Sequence, residues 1–140
     1  MPHLVFGWTT PALLAGAKSV HRLPSTDRSV RHWHAGMLIS AYQRAPARGG
    51  RPVAVVQLTE DPSLEPLPSM PDDDYDAEGW RWLHEHRSML PAWITSSDFG
   101  IDAFRQWRAR PASLWVVRFR LVAAAVADQA TEALAVARAA

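Results

Sequence analysis

The sequence predicts a small α+β domain, mainly β, in which helices pack on the outside of a mixed sheet or barrel. The chain has 140 residues, enough for one compact domain. Its hydrophobic share of 48% and charged share of 21% are typical of a globular protein rather than a disordered one. Five segments have the composition of strands, and helices do not separate them regularly, which argues against a doubly wound parallel sheet.

The amino-terminal segment is predicted to fold as strand, helix and strand. Residues 3–8 mix apolar, β-branched and aromatic side chains, which is typical of a buried strand. Residues 9–16 are predicted as a short helix, because Pro11 suits a first helical turn and Gly16 suits the left-handed position after a helix. Residues 19–22 are then predicted as a short strand.

The next two strand candidates are predicted to form a hairpin. They cover residues 37–44 and 52–59, and Gly49 and Gly50 lie between them, where a tight connection needs glycine. Residues 60–74 follow with four prolines and are predicted as a loop.

The rest of the chain is predicted as two helices, a strand and a third helix. Helical spacing of apolar residues covers 75–89 and about 98–108. Residues 113–122 form the strongest strand candidate. Residues 123–140 are rich in alanine and are predicted as a helix with a narrow apolar stripe. The predicted domain division is therefore a barrel at 1–122 and an added helix at 123–140.

Composition excludes several classes of protein. The chain has no cysteine, which excludes a disulfide scaffold, a thiolate zinc site and cysteine catalysis. Its longest apolar run is Leu121–Ala127, far below the roughly 20 residues that span a bilayer. No basic residue precedes Lys18, whereas a secretory signal starts with positive charge, so a cytoplasmic location is expected. The common nucleotide and hydrolase fingerprints are absent, and no cofactor is predicted.

Charge is unevenly distributed although the formal net charge is only +1. Residues 1–58 carry seven basic side chains and one acid, and residues 59–102 carry eleven acids and two basic side chains. Residues 103–140 carry six basic side chains and two acids. The fold could therefore present a basic surface beside an acidic one, or the segments could neutralise each other.

Three motifs occur in a recognisable order. The first follows the predicted first helix, the second precedes the hairpin, and the third lies within the helical pattern at 75–89. Their residues are Gly16, Lys18, Ser19 and Arg22; Gly36 and Met37; and Glu78, Gly79 and Trp80. Together they resemble the motifs of the ASCH family of PUA-like β-barrels, except that Met37 stands where the family has an acid.

The resemblance covers roughly residues 3–122 and implies a barrel of about six strands. It also implies a cleft between the lysine-bearing turn and the glutamate-bearing helix. Members of the family are thought to bind RNA, and some deacylate acetylated cytidine with a lysine, a threonine and a glutamate. Lys18 and Glu78 match the first and last of these, and His21 stands in the place of the threonine.

The first functional hypothesis is a module that binds RNA or a modified nucleobase. Lys18 and Arg22 would hold phosphate in a cationic cleft, because ammonium and guanidinium groups bind phosphate oxygens. Trp8 and Trp80 would stack on the base. By contrast, Trp107 and, with it, Trp115 are expected to pack in the core.

The second hypothesis is a small amidohydrolase that acts on an acylated cytidine-type nucleoside. Lys18 would be the base and Glu78 would orient it, while Ser19 or His21 would complete the site. The third hypothesis is a protein-interaction module with an inert cleft.

Two further expectations concern metals and partners. The HWH triplet at 32–34 is expected to place two histidines on one face of a strand, but nothing in the sequence completes a ligand set, so no metal site is predicted. The expected partner is RNA or a nucleoside rather than a membrane. The alanine-rich helix at 123–140 is a candidate surface for a homodimer.

Overall fold

The sheet is a six-stranded, curled half-barrel within residues 1–124, the part of the chain that the computed structural model describes. Its strands are β1 (His3–Val5), β2 (Val20–Pro24), β3 (Leu38–Tyr42), β4 (Pro52–Leu58), β5 (Ser63–Pro66) and β6 (Ser113–Ala124). They pair in the order β1-β3-β4-β6-β2, and β5 also pairs with β6. Only the β1–β3 pair is parallel. The predicted α+β, mainly β class is confirmed.

The long strand β6 holds the two halves of the sheet together. Its first half pairs with β2 on one edge and with β5 on the other, as in the pairs His21–Val117 and Leu64–Trp115. Its second half pairs with β4, beginning at Leu58–Phe119. In the described residues β1 and β2 do not pair with each other, so hydrogen bonds do not close the barrel.

Five short α-helices accompany the sheet in the described residues. They are α1 (Thr10–Leu14), α2 (Asp74–Ala77), α3 (Trp80–Glu85), α4 (Ala92–Thr95) and α5 (Ile101–Arg108). Apolar side chains of β1, β3, β4 and β6 fill the half-barrel, together with Trp33. Two smaller clusters lie among the helices, around Phe104 and around Phe99, and Trp8 packs against both. None of the helices in residues 1–124 is long and apolar enough to cross a membrane.

The predicted hairpin is confirmed as the antiparallel pair β3–β4. The predicted loop at 60–74 contains the strand β5, which sequence reasoning missed. This strand lies at an edge of the sheet, pairs only with β6, and is flanked by Pro62 and ended by Pro66. Proline is tolerated at strand ends and edges, so composition alone hides such a strand.

The predicted helix at 75–89 is divided into α2 and α3. Gly79 separates them with φ of 88°, a left-handed conformation that ends one helix and redirects the chain. A Cβ at this position would lie 2.7 Å from the Cβ of Ala12 and 3.3 Å from that of Lys18. The break therefore also allows the backbone to approach Lys18 closely.

The carboxy-terminal prediction is partly outside the described residues. Strand β6 continues to Ala124, so residues 123 and 124 extend the sheet and do not begin the predicted helix. Residues 125–140, the rest of that helix and of the candidate dimer surface, lie outside the described part of the chain.

Replacing Gly79 should cost more stability than replacing a glycine with equal backbone strain but open surroundings. Gly16 is that control, with φ of 74° and no atom within 4 Å of an added Cβ. Gly16→Ala should lower the free energy of unfolding by about 1 kcal/mol for the left-handed backbone. Gly79→Ala should lose about 1–3 kcal/mol more, because its Cβ meets packed atoms. Urea unfolding measures both, and equal losses would contradict the close approach.

Candidate functional site

Lys18 and Glu78, 60 residues apart in sequence, meet at the start of β2. The Lys18 side chain has no exposed surface, and its Nζ donates to the Glu78 backbone oxygen at 2.9 Å and to Glu78 Oε2 at 3.3 Å. The turn after α1 delivers Lys18, and Glu78 ends α2. The backbone N–H of Ser19 donates to the Ala77 oxygen at 2.8 Å, which fixes the two segments together. The predicted juxtaposition of Lys18 and Glu78 is present.

Arg22 lies beside this pair and contacts three carboxylates. Its guanidinium donates to Glu78 Oε1 at 3.0 Å, to Glu65 Oε1 at 2.8 Å and to Asp74 Oδ2 at 2.6 Å. Its side chain is only 2% exposed. Arg118 from β6 donates two hydrogen bonds to the same Asp74, at 2.9 and 3.1 Å. Arg22 is therefore held by protein carboxylates and has little surface left for a phosphate.

The charges of this cluster cancel. Three cations face three buried or half-buried carboxylates, and in residues 1–124 the one further carboxylate that contacts the cluster is the exposed Glu60, which pairs with Arg118. The six groups are Lys18, Arg22, Arg118, Glu65, Asp74 and Glu78. Within the cluster, carboxylates of the acidic segment thus neutralise Lys18 and Arg22 of the first basic segment and Arg118 of the last. Lys18 and Arg22, the cations expected in the predicted cleft, are therefore both paired with protein carboxylates.

The pKa of Asp74 reports how strongly the cluster favours charged forms. Burial by itself would raise this pKa, but hydrogen bonds from Arg118 and Arg22 outweigh burial and hold it below the usual value of 3.8. Asp74 therefore stays ionised at neutral pH, and the ion pairs with both arginines persist.

The pKa of Lys18 shifts in the opposite sense to that of a surface lysine in an ion pair. Burial lowers it, Glu78 raises it and Arg22 lowers it, with a net result below the ordinary value of 10.5. A lowered pKa makes the neutral amine easier to reach.

A cavity of about 460 Å³ opens above Lys18 and Glu78, a size in the range of small-molecule sites. Four aromatic rings form much of its wall. Its lining residues are Phe6, Trp8, Thr9, Lys18, His21, Arg22, Glu78, Trp80, Ala103, Gln106, Trp107 and Arg110. The cavity therefore combines an indole wall with a polar floor whose buried ion pairs are already formed.

Three tryptophans contribute to the aromatic wall in different ways. Trp80 is buried and stacks on Trp107, with centroids 5.4 Å apart and planes 11° apart. Trp8 meets Trp80 edge-on at 5.6 Å and stacks on Phe99. Trp8 and Trp107 are half-buried and keep free surface at the cavity. Trp107, expected in the core, thus lines the cavity, while Trp80 supports it.

His21 has one ring nitrogen without a partner. Its Nδ1 is buried and makes no hydrogen bond in the described residues, and its ring packs on Phe6 at 4.7 Å. Burial, followed by the charge of Lys18, lowers the pKa of His21 well below 6.5. His21 is therefore neutral at physiological pH and has a donor or acceptor that a ligand or a water could satisfy.

Two other sequence-predicted groups lie elsewhere. Ser19 is exposed and does not line the cavity, because the alternation of an extended chain turns it away from its neighbour Lys18. His32 and His34 are also exposed, at the end of a 3₁₀ turn and in the following loop, so the strand expected at 32–34 is wrong. In residues 1–124 no three histidines, aspartates or glutamates cluster as a metal site.

Sequence reasoning missed several residues of the site. They are Thr9, Gln106, Trp107 and Arg110 in the lining, and Glu65, Asp74 and Arg118 around Arg22. The sequence held one signal, and it concerned Arg118. An arginine that alternates with apolar residues in a strand, as at 113–122, is rarely buried without a carboxylate partner.

Comparison with known proteins supports the fold and leaves the family open. No family model matches the chain, and no curated protein matches it. Among solved structures the chain is similar to protein EF3133 of Enterococcus faecalis V583, assigned to DUF984, with a TM-score of 0.54 and 13% identity over 90% of this chain and 83% of that one. A point mutant of ZmASCH from Zymomonas mobilis gives a TM-score of 0.42 and 11% identity over 94% and 77%. The first likeness concerns the fold alone, and the second is too low to carry an argument.

The buried neutral state of His21 should make stability fall in mild acid. Its folded pKa lies below its unfolded pKa of about 6.5, so below pH 6.5 the unfolded chain binds one more proton than the folded chain. The free energy of unfolding should then fall by up to about 1.4 kcal/mol per pH unit on this account. His21→Gln should flatten that slope between pH 6.5 and the folded pKa.

The matched control is His34→Gln, since His34 is exposed. Urea unfolding at a series of pH values measures both variants against the wild type. A slope that His21→Gln leaves unchanged would show that His21 can be protonated in the folded state.

Proposed function

We propose that the cavity binds a planar, uncharged heteroaromatic ring of the nucleobase class, as a modified nucleoside or as a base of an RNA. One observation carries this proposal: the cavity has an indole wall, and its floor is a buried ion cluster of no net charge. The wall favours a flat ring, and the floor favours groups that accept or donate hydrogen bonds without charge.

The indole wall suits stacking. Trp8 and Trp107 keep surface at the cavity, and Trp107 is braced from behind by Trp80. A rigid aromatic side chain loses little conformational entropy when a ring stacks on it. Stacking on such side chains is the usual way in which proteins bind an unpaired base.

The polar floor suits the edge of a base. The ammonium of Lys18 has three N–H groups, of which two already point at oxygens of Glu78. His21 Nδ1 has no partner in residues 1–124. Thr9 and Gln106 in the lining add groups that both donate and accept. A carbonyl or an exocyclic amine could therefore be held without bringing a charge into the cavity.

Charge balance argues against a phosphate as the group recognised on the floor. Arg22 makes three ion pairs with protein carboxylates, so a phosphate would have to displace one of them. An anion would also face the carboxyl group of Glu78, which lines the cavity. Among the lysine and arginine side chains that line the cavity, only the exposed Arg110 makes no salt bridge in residues 1–124.

Nucleoside binding in the cavity should depend on Trp107 and be nearly insensitive to salt. Trp107→Ala should weaken binding of a modified cytidine by about tenfold, because it removes one stacking face. Raising salt from about 50 to 200 mM should leave the affinity of the wild type almost unchanged, since no phosphate is neutralised. Isothermal calorimetry measures both effects.

The matched control is Trp82→Ala, which removes a half-buried indole that stacks on His86 and does not line the cavity. Loss of affinity in Trp82→Ala but not in Trp107→Ala would move the site elsewhere. A steep salt dependence for an uncharged nucleoside would contradict the neutral floor.

The second candidate is hydrolysis of an acylated cytidine-type nucleoside, favoured by the lowered pKa of the buried Lys18 beside Glu78. The neutral Lys18 amine would take a proton from a water molecule as the water oxygen adds to the acyl carbon. The C–N bond would then break, and the proton would pass to the leaving amine. His21 lines the cavity and could assist, whereas Ser19 lies outside it.

Replacing Lys18 with arginine distinguishes the binding hypothesis from the hydrolysis hypothesis. Arginine keeps the charge but cannot lose its proton, so Lys18→Arg should lower turnover of acetylated cytidine by about 100-fold or more if Lys18 is a base. Under the binding hypothesis Lys18→Arg should keep most of the affinity for the nucleoside, provided that the fold is intact by circular dichroism. Chromatography of the deacylated product measures turnover.

Ser19→Ala is the control, because Ser19 is the neighbouring hydroxyl and is exposed. It should leave turnover unchanged. Absence of turnover in the wild type would exclude hydrolysis of this substrate and leave the binding proposal standing.

A further inference from the structure

A second hollow, a groove of about 940 Å³, lies on the other side of the segment that follows β1. Phe6 and Trp8 of this segment line the cavity, whereas Val5 and Gly7 line the groove. The groove residues are Val5, Gly7, Gln43, Arg44, Ala45, Arg48, Gly49, Gly50, Arg51, Val53 and Trp93. The groove is thus formed mainly by the β3–β4 connection, with Trp93 from α4.

The groove is strongly cationic. Arg44, Arg48 and Arg51 are all exposed, and no carboxylate in residues 1–124 lies within salt-bridge distance of any of them. The sequence has no acid between Asp27 and Glu60. Arg22, by contrast, contacts three carboxylates. These three guanidinium groups are available to an anionic partner.

The loop that carries the arginines is held in a compact shape. The N–H groups of Arg48 and Gly50 donate to the Ala45 oxygen at 2.9 and 3.1 Å, and that of Gly49 donates to the Pro46 oxygen at 3.0 Å. At Gly50 a Cβ would lie 1.7 Å from the Arg44 oxygen, so only glycine fits. The arginines therefore project from a folded turn.

Trp93 adds an aromatic face to the cationic groove. It is 53% exposed, far more than the half-buried or buried tryptophans of the cavity. Trp93 is not a member of the hydrophobic clusters of residues 1–124. An indole left exposed beside cations is available for contact with a partner.

We propose that this groove binds single-stranded nucleic acid, with the three arginines on backbone phosphates and a base stacked on Trp93. Arginine and an aromatic ring are the combination by which proteins hold unpaired strands, since the cations follow the backbone and every base has a face to stack. A duplex keeps its bases stacked inside and offers none to Trp93. This proposal stands on the groove residues and is independent of what the cavity binds.

The experiment measures binding of a labelled single-stranded RNA of about twelve nucleotides by fluorescence anisotropy, at salt between about 50 and 200 mM. The variant Arg44→Ala/Arg48→Ala/Arg51→Ala should lose at least about tenfold in affinity at low salt. It should also lower the slope of log affinity against log salt by about 2, because three phosphate contacts on a single strand are lost. Trp93→Ala should lose about tenfold, and Trp93→Phe should restore part of it.

The charge-matched control is Arg28→Ala/Arg31→Ala/Arg87→Ala, which removes three exposed arginines outside the groove. It should keep the salt slope of the wild type. Equal losses in the two triple variants would overturn the assignment, as would a Trp93→Ala variant that binds like the wild type. Competition by polyglutamate as effective as that by unlabelled RNA would also overturn it and indicate an acidic protein partner.

The cavity variant Trp107→Ala separates this proposal from the proposed function. If it loses the nucleoside but keeps the RNA, the two sites are distinct, which supports the groove as a site of its own. Loss of RNA binding in Trp107→Ala with none in the groove variants would assign the strand to the cavity and overturn the groove.

Discussion

The ion cluster around Arg22 is the interaction on which the rest of the structure depends. Each of four elements contributes at least one charged side chain to it: Lys18 and Arg22 from β2 and the turn before it, Glu65 from β5, Asp74 and Glu78 from α2 and its end, and Arg118 from β6. Burial of these charges is costly without their partners, and Arg22 is the group that contacts all three carboxylates, so its removal should cost about 3–5 kcal/mol. The cluster therefore requires that β5 and α2 dock where they do.

The same cluster determines what the neighbouring cavity can accept. Because its charges are matched within the protein, the floor offers oriented hydrogen-bond groups with no net charge. Across the segment after β1, the groove has the reverse character, with unmatched arginines and one exposed indole. The short segment after β1 thus separates the cavity, with its neutral floor, from the cationic groove. The overall charge of +1 conceals this division, since eleven of the fourteen acids lie in residues 59–102, outside the segment that carries the groove arginines.

The features that local sequence patterns encode were predicted correctly. The features that depend on contacts between distant segments were missed. The hairpin followed from its glycines, and the meeting of Lys18 with Glu78 followed from motif order. The strand β5 was hidden because its pairing with β6 overrides the unfavourable prolines. Trp107 was assigned to the core because periodicity separates buried positions from exposed ones. It does not show whether a buried side chain packs in the core or lines a cavity. Ser19 was grouped with Lys18 by adjacency, although neighbours in an extended chain face opposite ways.

The central position of β6 has a consequence for the nascent chain. This strand pairs with β2, β4 and β5, and its partners in β2 lie ninety or more residues earlier, as Val20 with Arg118 shows. Contacts of such large sequence separation close late, because loop closure costs entropy before any pairing repays it. On the ribosome β1, β3 and β4 can pair as soon as they emerge, but β6, which joins β2 and β5 to them, is the last of the six described strands to be made. Until β6 emerges, Arg22 lacks the scaffold that brings its carboxylates together, so assembly of the cavity floor must await this strand.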